Sequence, residues 1–210
     1  MTDVTSEEAT VGDGRHLRRE RNRERVVDAY IELLREGVPH PTAADLARRA
    51  ELTARSVYRY MEDDSSLKQE VGRRIVSQVR MPEPAAGWDG HSLRERIDTV
   101  LSFAMDVYDR SAPIMRVARA NLATGPVVED AVRSIRQLVR EQIETVFAAE
   151  LDRLDSADRH VEVTGLHAFL IFDTLEYMHV HLDRDDVIAV ARRHFCLALA
   201  VPGDTVPGAN

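Results

Sequence analysis

Between Thr53 and Met61 the chain reads T-A-R-S-V-Y-R-Y-M, two arginines four apart among hydroxyl-bearing and aromatic side chains. On a helix, Arg55 and Arg59 would share one face. Paired guanidinium donors suit a phosphate, or the O6 and N7 edge of a guanine. Thr53, Ser56, Tyr58 and Tyr60 are the residue types that fix register on a sugar-phosphate backbone. Other readings of the same residues stay open. Arg55 also fits a phosphate contact or a solvated surface, Arg59 fits either role, and both tyrosines fit partial core packing. Upstream, R-H-L-R-R-E-R-N-R-E-R-V carries six arginines from Arg15 to Arg25. It reads as a basic arm lying on a duplex backbone or reaching its minor groove. It reads equally as a solvated helix start laced with Glu–Arg pairs.

Other chemistries find little support. The sequence holds no G-x-S-x-G, no phosphate-binding loop, no G-x-G-x-x-G and no H-E-x-x-H. His179 and His181 would diverge by about 200° on a helix. His160 and His167 would lie about 10 Å apart along one face, too far for one ion. No catalytic residue, metal or cofactor is therefore expected, and an enzyme is excluded as a reading. Cys196 is the one cysteine, which rules out an intrachain disulfide and fits a reducing, cytoplasmic setting. The opening MTDVTSEEAT lacks the basic and apolar pattern of a secretory signal. The most apolar stretch, Leu166–Leu175, is broken by His167 and Asp173, so no membrane association is expected.

Charge distribution favours nucleic acid over the net value. The chain carries −8 overall, yet residues 15–80 carry +4. Residues 1–14 contribute −4 and residues 81–210 contribute −8. A basic N-terminal third on an acidic remainder fits a protein touching phosphates with one part only.

The positioning elements follow from spacing. Val26, Tyr30, Leu33 and Leu34 make one apolar face of a first helix over about Arg18–Glu36, stopped by Gly37 and by Pro39 and Pro41. Thr42 caps a short second helix through the Asp45 N–H, with Ala43, Leu46, Ala47 and Ala50 inward. Glu51-Leu52 turns the chain, and Thr53 caps a third helix with Leu52, Val57 and Met61 inward. A fourth helix starts at Ser65 or Ser66 and ends near Arg80. Five more are predicted, over about 92–109, 113–122, 127–151, 157–182 and 184–200. The fold class is all-α, with about nine helices.

Two short helices about a tight turn, the second polar and cationic outside, have the physics of a helix-turn-helix. The stretch T-A-A-D-L-A-R-R-A-E-L-T-A-R-S-V-Y-R-Y-M, followed by E-D-D-S-S-L, resembles the DNA-binding domain of the TetR family of transcriptional regulators. The likeness covers residues 20–70. Tyr58, Tyr60 and the spacing to Leu67 make it specific. Three positions depart from the family pattern. Glu51 stands for the turn glycine, Met61 for an aromatic, and Asp64 for a lysine that contacts phosphate. If residue 51 needs a left-handed backbone, a non-glycine there costs on the order of 1–2 kcal/mol.

The resemblance implies a ligand-responsive homodimer, a repressor that binds a palindromic operator and is released by a small effector, and the Met and aromatic side chains of the second half suggest an apolar or aromatic one. Its DNA surface would comprise Thr42, Thr53, Ala54, Arg55, Ser56, Tyr58, Arg59, Tyr60 and Lys68. The domains expected are a flexible tail 1–14, a DNA-binding domain 15–64, a connecting helix 65–80, an effector and dimerisation domain 81–202, and a frayed tail 203–210. Effector liners would come from Trp88, Phe103, Met105, Tyr108, Met115, Phe147 and His167, each also at home in an ordinary core. Phe169, Phe172, Leu175, Ile188, Phe195 and Leu199 demand cover, from a second copy or from the monomer's own core. The alternative function is a helical interaction protein of this fold that has lost DNA binding.

Overall fold

The computed structural model describes residues 5–61, 64–82, 84, 87–120 and 126–199, with side chains from His16 onward except at 64, 65, 120 and 126. All secondary structure among them is helical: α1 (Thr5–Arg35), α2 (Ala43–Ala50), α3 (Ala54–Met61), α4 (Asp64–Ser77), α5 (Leu93–Ala120), α6 (Pro126–Val146), α7 (Ala148–Leu151), α8 (Ser156–Leu170), α9 (Phe172–His181) and α10 (Arg184–Leu199). The chain divides into two units, residues 1–74 with 116–128, and residues 75–115 with 129–210.

In the first unit, α1, α2 and α3 pack together. Val26, Leu46 and Val57 are fully buried, one from each helix. The buried stripe of α2 is Ala43, Leu46, Ala47 and Ala50, and its three alanines let neighbouring backbones come close. α1 ends in a Schellman motif: Gly37, at φ 86°, donates to the Leu34 carbonyl at 3.0 Å, and Val38 donates to Leu33 at 2.9 Å. Thr42 and Asp45 form a reciprocal capping box that starts α2. α1 begins well before the expected Arg18, since no proline interrupts residues 5–35. The expected tail at 203–210 and the break at Gly125 fall outside the described residues.

The second unit has two apolar clusters. One gathers Ile97, Leu101, Phe147, Val163, Leu166 and Phe195 around an edge-to-face contact between Phe147 and Phe195 (5.9 Å, 62°). The other holds Met105, Tyr108, Ala112, Leu175, Met178 and Val187. Three helix boundaries differ from expectation. α5 runs unbroken through Pro113, whose neighbours Ala112 and Ile114 are buried at 4% and 5% exposure. Packing there outweighs the lost N–H and the crowding at the Asp109 carbonyl. The helix expected over 127–151 is interrupted at Phe147. The single helix expected over 157–182 breaks at Ile171, which is extended at φ −72° and ψ 146°. The Thr174 hydroxyl covers the Ala168 carbonyl left open by that break (2.6 Å).

Candidate nucleic-acid interface

α3 has two faces. Val57 and Tyr60 point inward, at 0% and 7% exposure. Arg55, Tyr58 and Arg59 are exposed, and helical geometry places them within about 100° of arc. With Ser56 they line an open surface groove. The helix carries no acidic residue. Thr53 starts it: the Ser56 N–H donates to Thr53 Oγ1 (3.2 Å), and the two hydroxyls lie 2.9 Å apart. Ala54 is exposed beside them, so the first backbone N–H groups of α3 stand at an open helix end suited to anions.

The support beneath α3 is ionic as well as apolar. Arg49 of α2 reaches Glu32 of α1 (3.1 Å) and Glu36 just past its end (2.7 Å), and these carboxylates, Glu36 foremost, raise the Arg49 pKa above its ordinary value. Arg23 of α1 donates to the Ser66 hydroxyl at the start of α4 (2.6 Å). Arg74 pairs with Asp28 across the same two helices (3.4 Å). Arg19 and Arg21 of α1 are exposed. Part of the arginine-rich run therefore braces the unit, and part stays on its surface.

Two residues expected at phosphates are otherwise engaged. Tyr60 is buried, and its hydroxyl donates to the Arg19 carbonyl (3.3 Å), so it packs rather than projects. The Thr42 N–H and hydroxyl both donate to the Asp45 carboxylate (3.1 and 2.6 Å). The hydroxyl bond, followed by the backbone bond, holds the Asp45 carboxyl below its ordinary pKa. Lys68 is exposed on α4, and the side chain of Asp64 lies outside the described residues.

The second unit contains an apolar cavity of about 100 Å³. Phe103, Tyr108 and Met115, expected as liners, do line it. Trp88 instead borders a separate, more polar opening with Arg80, Glu141 and Thr145. Met105 and Phe147 are shut into the two clusters at 2% and 0% exposure. His167 is half-buried away from the cavity, its pKa lowered first by burial and then by Arg140 and Arg136.

The residues expected to meet a second copy are largely occupied within the chain. Leu175, Phe195 and Leu199 are buried at 5%, 0% and 5% exposure. Phe169 and Ile188 pack against both clusters, and Phe172 lines the cavity with Leu175. The heaviest apolar stripes of α8 to α10 thus turn to their own core. A lighter stripe faces out: Val161 on α8, Tyr177 and Val180 on α9, and Val190 and Leu197 on α10.

No protein-family model and no curated protein matches this sequence. Among solved structures, the chain is similar to a TetR transcriptional regulator from Rhodococcus sp. RHA1. Identity is 16%, over 86% of this chain and 96% of that one, with a TM-score of 0.47.

Sequence reasoning missed three features. The outward stripe was hidden behind bulkier neighbours, although Val190 and Leu197 stand seven apart, two helical turns along one face. Gln142 of the cavity wall reads as surface on an amphipathic helix. The Ile171 break leaves no glycine or proline to mark it.

Proposed function

We propose that this chain is a homodimeric, DNA-binding transcriptional regulator whose duplex affinity is set by a small molecule held in its second unit. The observation that carries the reading is the outward face of α3. Arg55, Tyr58 and Arg59 project together from a helix without acidic residues, clamped from behind by Val57 and Tyr60. That shape and charge suit the major groove, which admits one helix. Arg55, one residue inside the helix start, is placed to read a guanine edge, while Thr53, Ala54, Ser56, Tyr58 and Arg59 hold phosphates. The likeness of Thr42–Met61 to the TetR family's DNA-binding motif supports the same assignment.

The outward stripe supports dimerisation. Val161 (66% exposed), Val190 (43%) and Leu197 (56%) leave α8 and α10 with apolar surface that a second copy would cover. Twofold pairing presents two α3 helices to half-sites about 34–36 Å apart, or a multiple of that. Ligand control then needs only differential affinity. A molecule that prefers a dimer with badly spaced α3 helices weakens operator binding by that preference, and repression is relieved.

The test is a gel shift on the duplex beside the protein's own gene. Retarded complexes that disappear with Arg55→Ala and Arg59→Ala support the reading. Indifference of the folded protein to that duplex and to a random one favours an interaction protein of the same fold.

A further inference from the structure

The cavity of the second unit has walls whose chemistry narrows what it can hold. Among the described residues, no lysine, arginine, histidine, aspartate or glutamate lines it. Three of the described lining side chains carry nitrogen or oxygen atoms, and each is already engaged within the chain. The Tyr108 hydroxyl donates to Glu176 Oε2. The Ser111 hydroxyl donates to the Val107 carbonyl (2.6 Å). Gln142 Oε1 accepts from the Met81 N–H, and its amide nitrogen lies 3.4 Å from the Val79 carbonyl. One aromatic wall is built by the stack of Tyr108 on Phe172 (5.8 Å, 27°). The Ile171 break lies immediately before Phe172.

We infer that this cavity takes a small uncharged apolar molecule, of the size of one aromatic ring or a short alkyl chain, and discriminates against ionised ones. The inference rests on the ligand-responsive reading above and specifies its ligand class. An entering carboxylate or ammonium would lose its water and meet no opposite charge, which strongly disfavours the ion. A neutral molecule has no charge to desolvate, and the wall's polar groups are already bonded within the chain apart from one N–H of Gln142. The remaining N–H of Gln142 can serve one acceptor, such as an alcohol or carbonyl oxygen. A volume of about 100 Å³ is somewhat smaller than the roughly 150 Å³ of a dry apolar cavity that accepts benzene, which limits the guest to about one ring.

The experiment is a calorimetric and ligand-observed NMR titration of the full chain at neutral pH with toluene, benzyl alcohol, benzoate and benzylammonium. Toluene and benzyl alcohol are expected to bind saturably at one site per chain, with the two ions at least about tenfold weaker. Ala104→Phe and Val139→Phe, each placing a ring in the cavity, are expected to abolish binding of the neutral pair. Circular dichroism and thermal unfolding establish that each variant remains folded, and either folded variant suffices. Benzoate or benzylammonium binding as tightly as benzyl alcohol overturns the inference. So does neutral binding that persists in a folded, filled variant, or absence of saturable toluene binding. Duplex binding measured on the same samples separates the two proposals, since a chain that ignores DNA yet binds toluene contradicts only the regulator.

Discussion

Glu51 and Arg25 meet at the turn between α2 and α3. Glu51 takes a left-handed backbone at φ 52° and ψ 44°, and its carboxylate reaches the Arg25 guanidinium at 3.3 Å. The Leu52 N–H closes the turn on the Ala47 carbonyl (2.9 Å). It is the same device that ends α1 at Gly37, built here without glycine. The ion pair is exposed and weak, so backbone strain dominates. Glu51→Gly is expected to stabilise the protein by about 1 kcal/mol, read as a higher urea midpoint at unchanged slope.

Arg96 and Glu150 form a buried bidentate pair, at 2.6 and 2.8 Å, and Arg96 also donates to the Val146 carbonyl where α6 ends (2.8 Å). Each side chain is only 9% exposed. Arg96→Met strands the Glu150 carboxylate and is expected to cost about 3–5 kcal/mol. Arg96→Met with Glu150→Leu should recover most of that loss in urea unfolding. A double variant no more stable than the single one would contradict the account.

The first unit was largely legible in the sequence, and the reason is local. Gly37, the Thr42–Asp45 box and the apolar spacing of α2 and α3 act over three or four residues, within reach of periodicity and capping rules. The left-handed backbone at Glu51 was raised as a condition by the glycine that the resembling pattern carries there. The second unit was less legible because its boundaries are decided by packing. Pro113 sits inside a helix that its buried neighbours sustain, Ile171 breaks one without a breaker, and Arg96 finds Glu150 across 54 positions. Of the two readings left open for Tyr60, phosphate contact and core packing, its burial fits the second, since a tyrosine suits either place by type alone.

Two histidines give the fold a pH dependence. His167 and His194 both have pKa values below the ordinary 6.5, burial being the main cause. Arg140 and Arg136 add to the lowering at His167, while Glu162 opposes it at His194. The unfolded chain therefore binds protons more readily. Stability is fully present above about pH 6.5 and declines as pH falls towards the folded values. Urea midpoints should drop between pH 8 and pH 5.5, with a shallower drop in His167→Gln and His194→Gln together. An unchanged slope in that pair would contradict the assignment.

Association should depend on the outward stripe. Val190→Glu with Leu197→Glu is expected to convert the proposed dimer to a folded monomer in sedimentation velocity. Duplex affinity should fall with it, because each monomer then grips one half-site. A protein that stays dimeric with both glutamates in place pairs through another face.

The most direct test of the central claim is a fluorescence anisotropy titration of the duplex beside the gene, repeated across salt concentrations, for the native chain and for Arg55→Ala with Arg59→Ala. Tight binding that weakens steeply with salt is expected of the native chain. The variant should remain folded, bind more weakly and show a log–log slope shallower by about one for each phosphate no longer neutralised by a guanidinium. Identical affinity and slope in the two proteins, or no binding by the native chain at low salt, would contradict it.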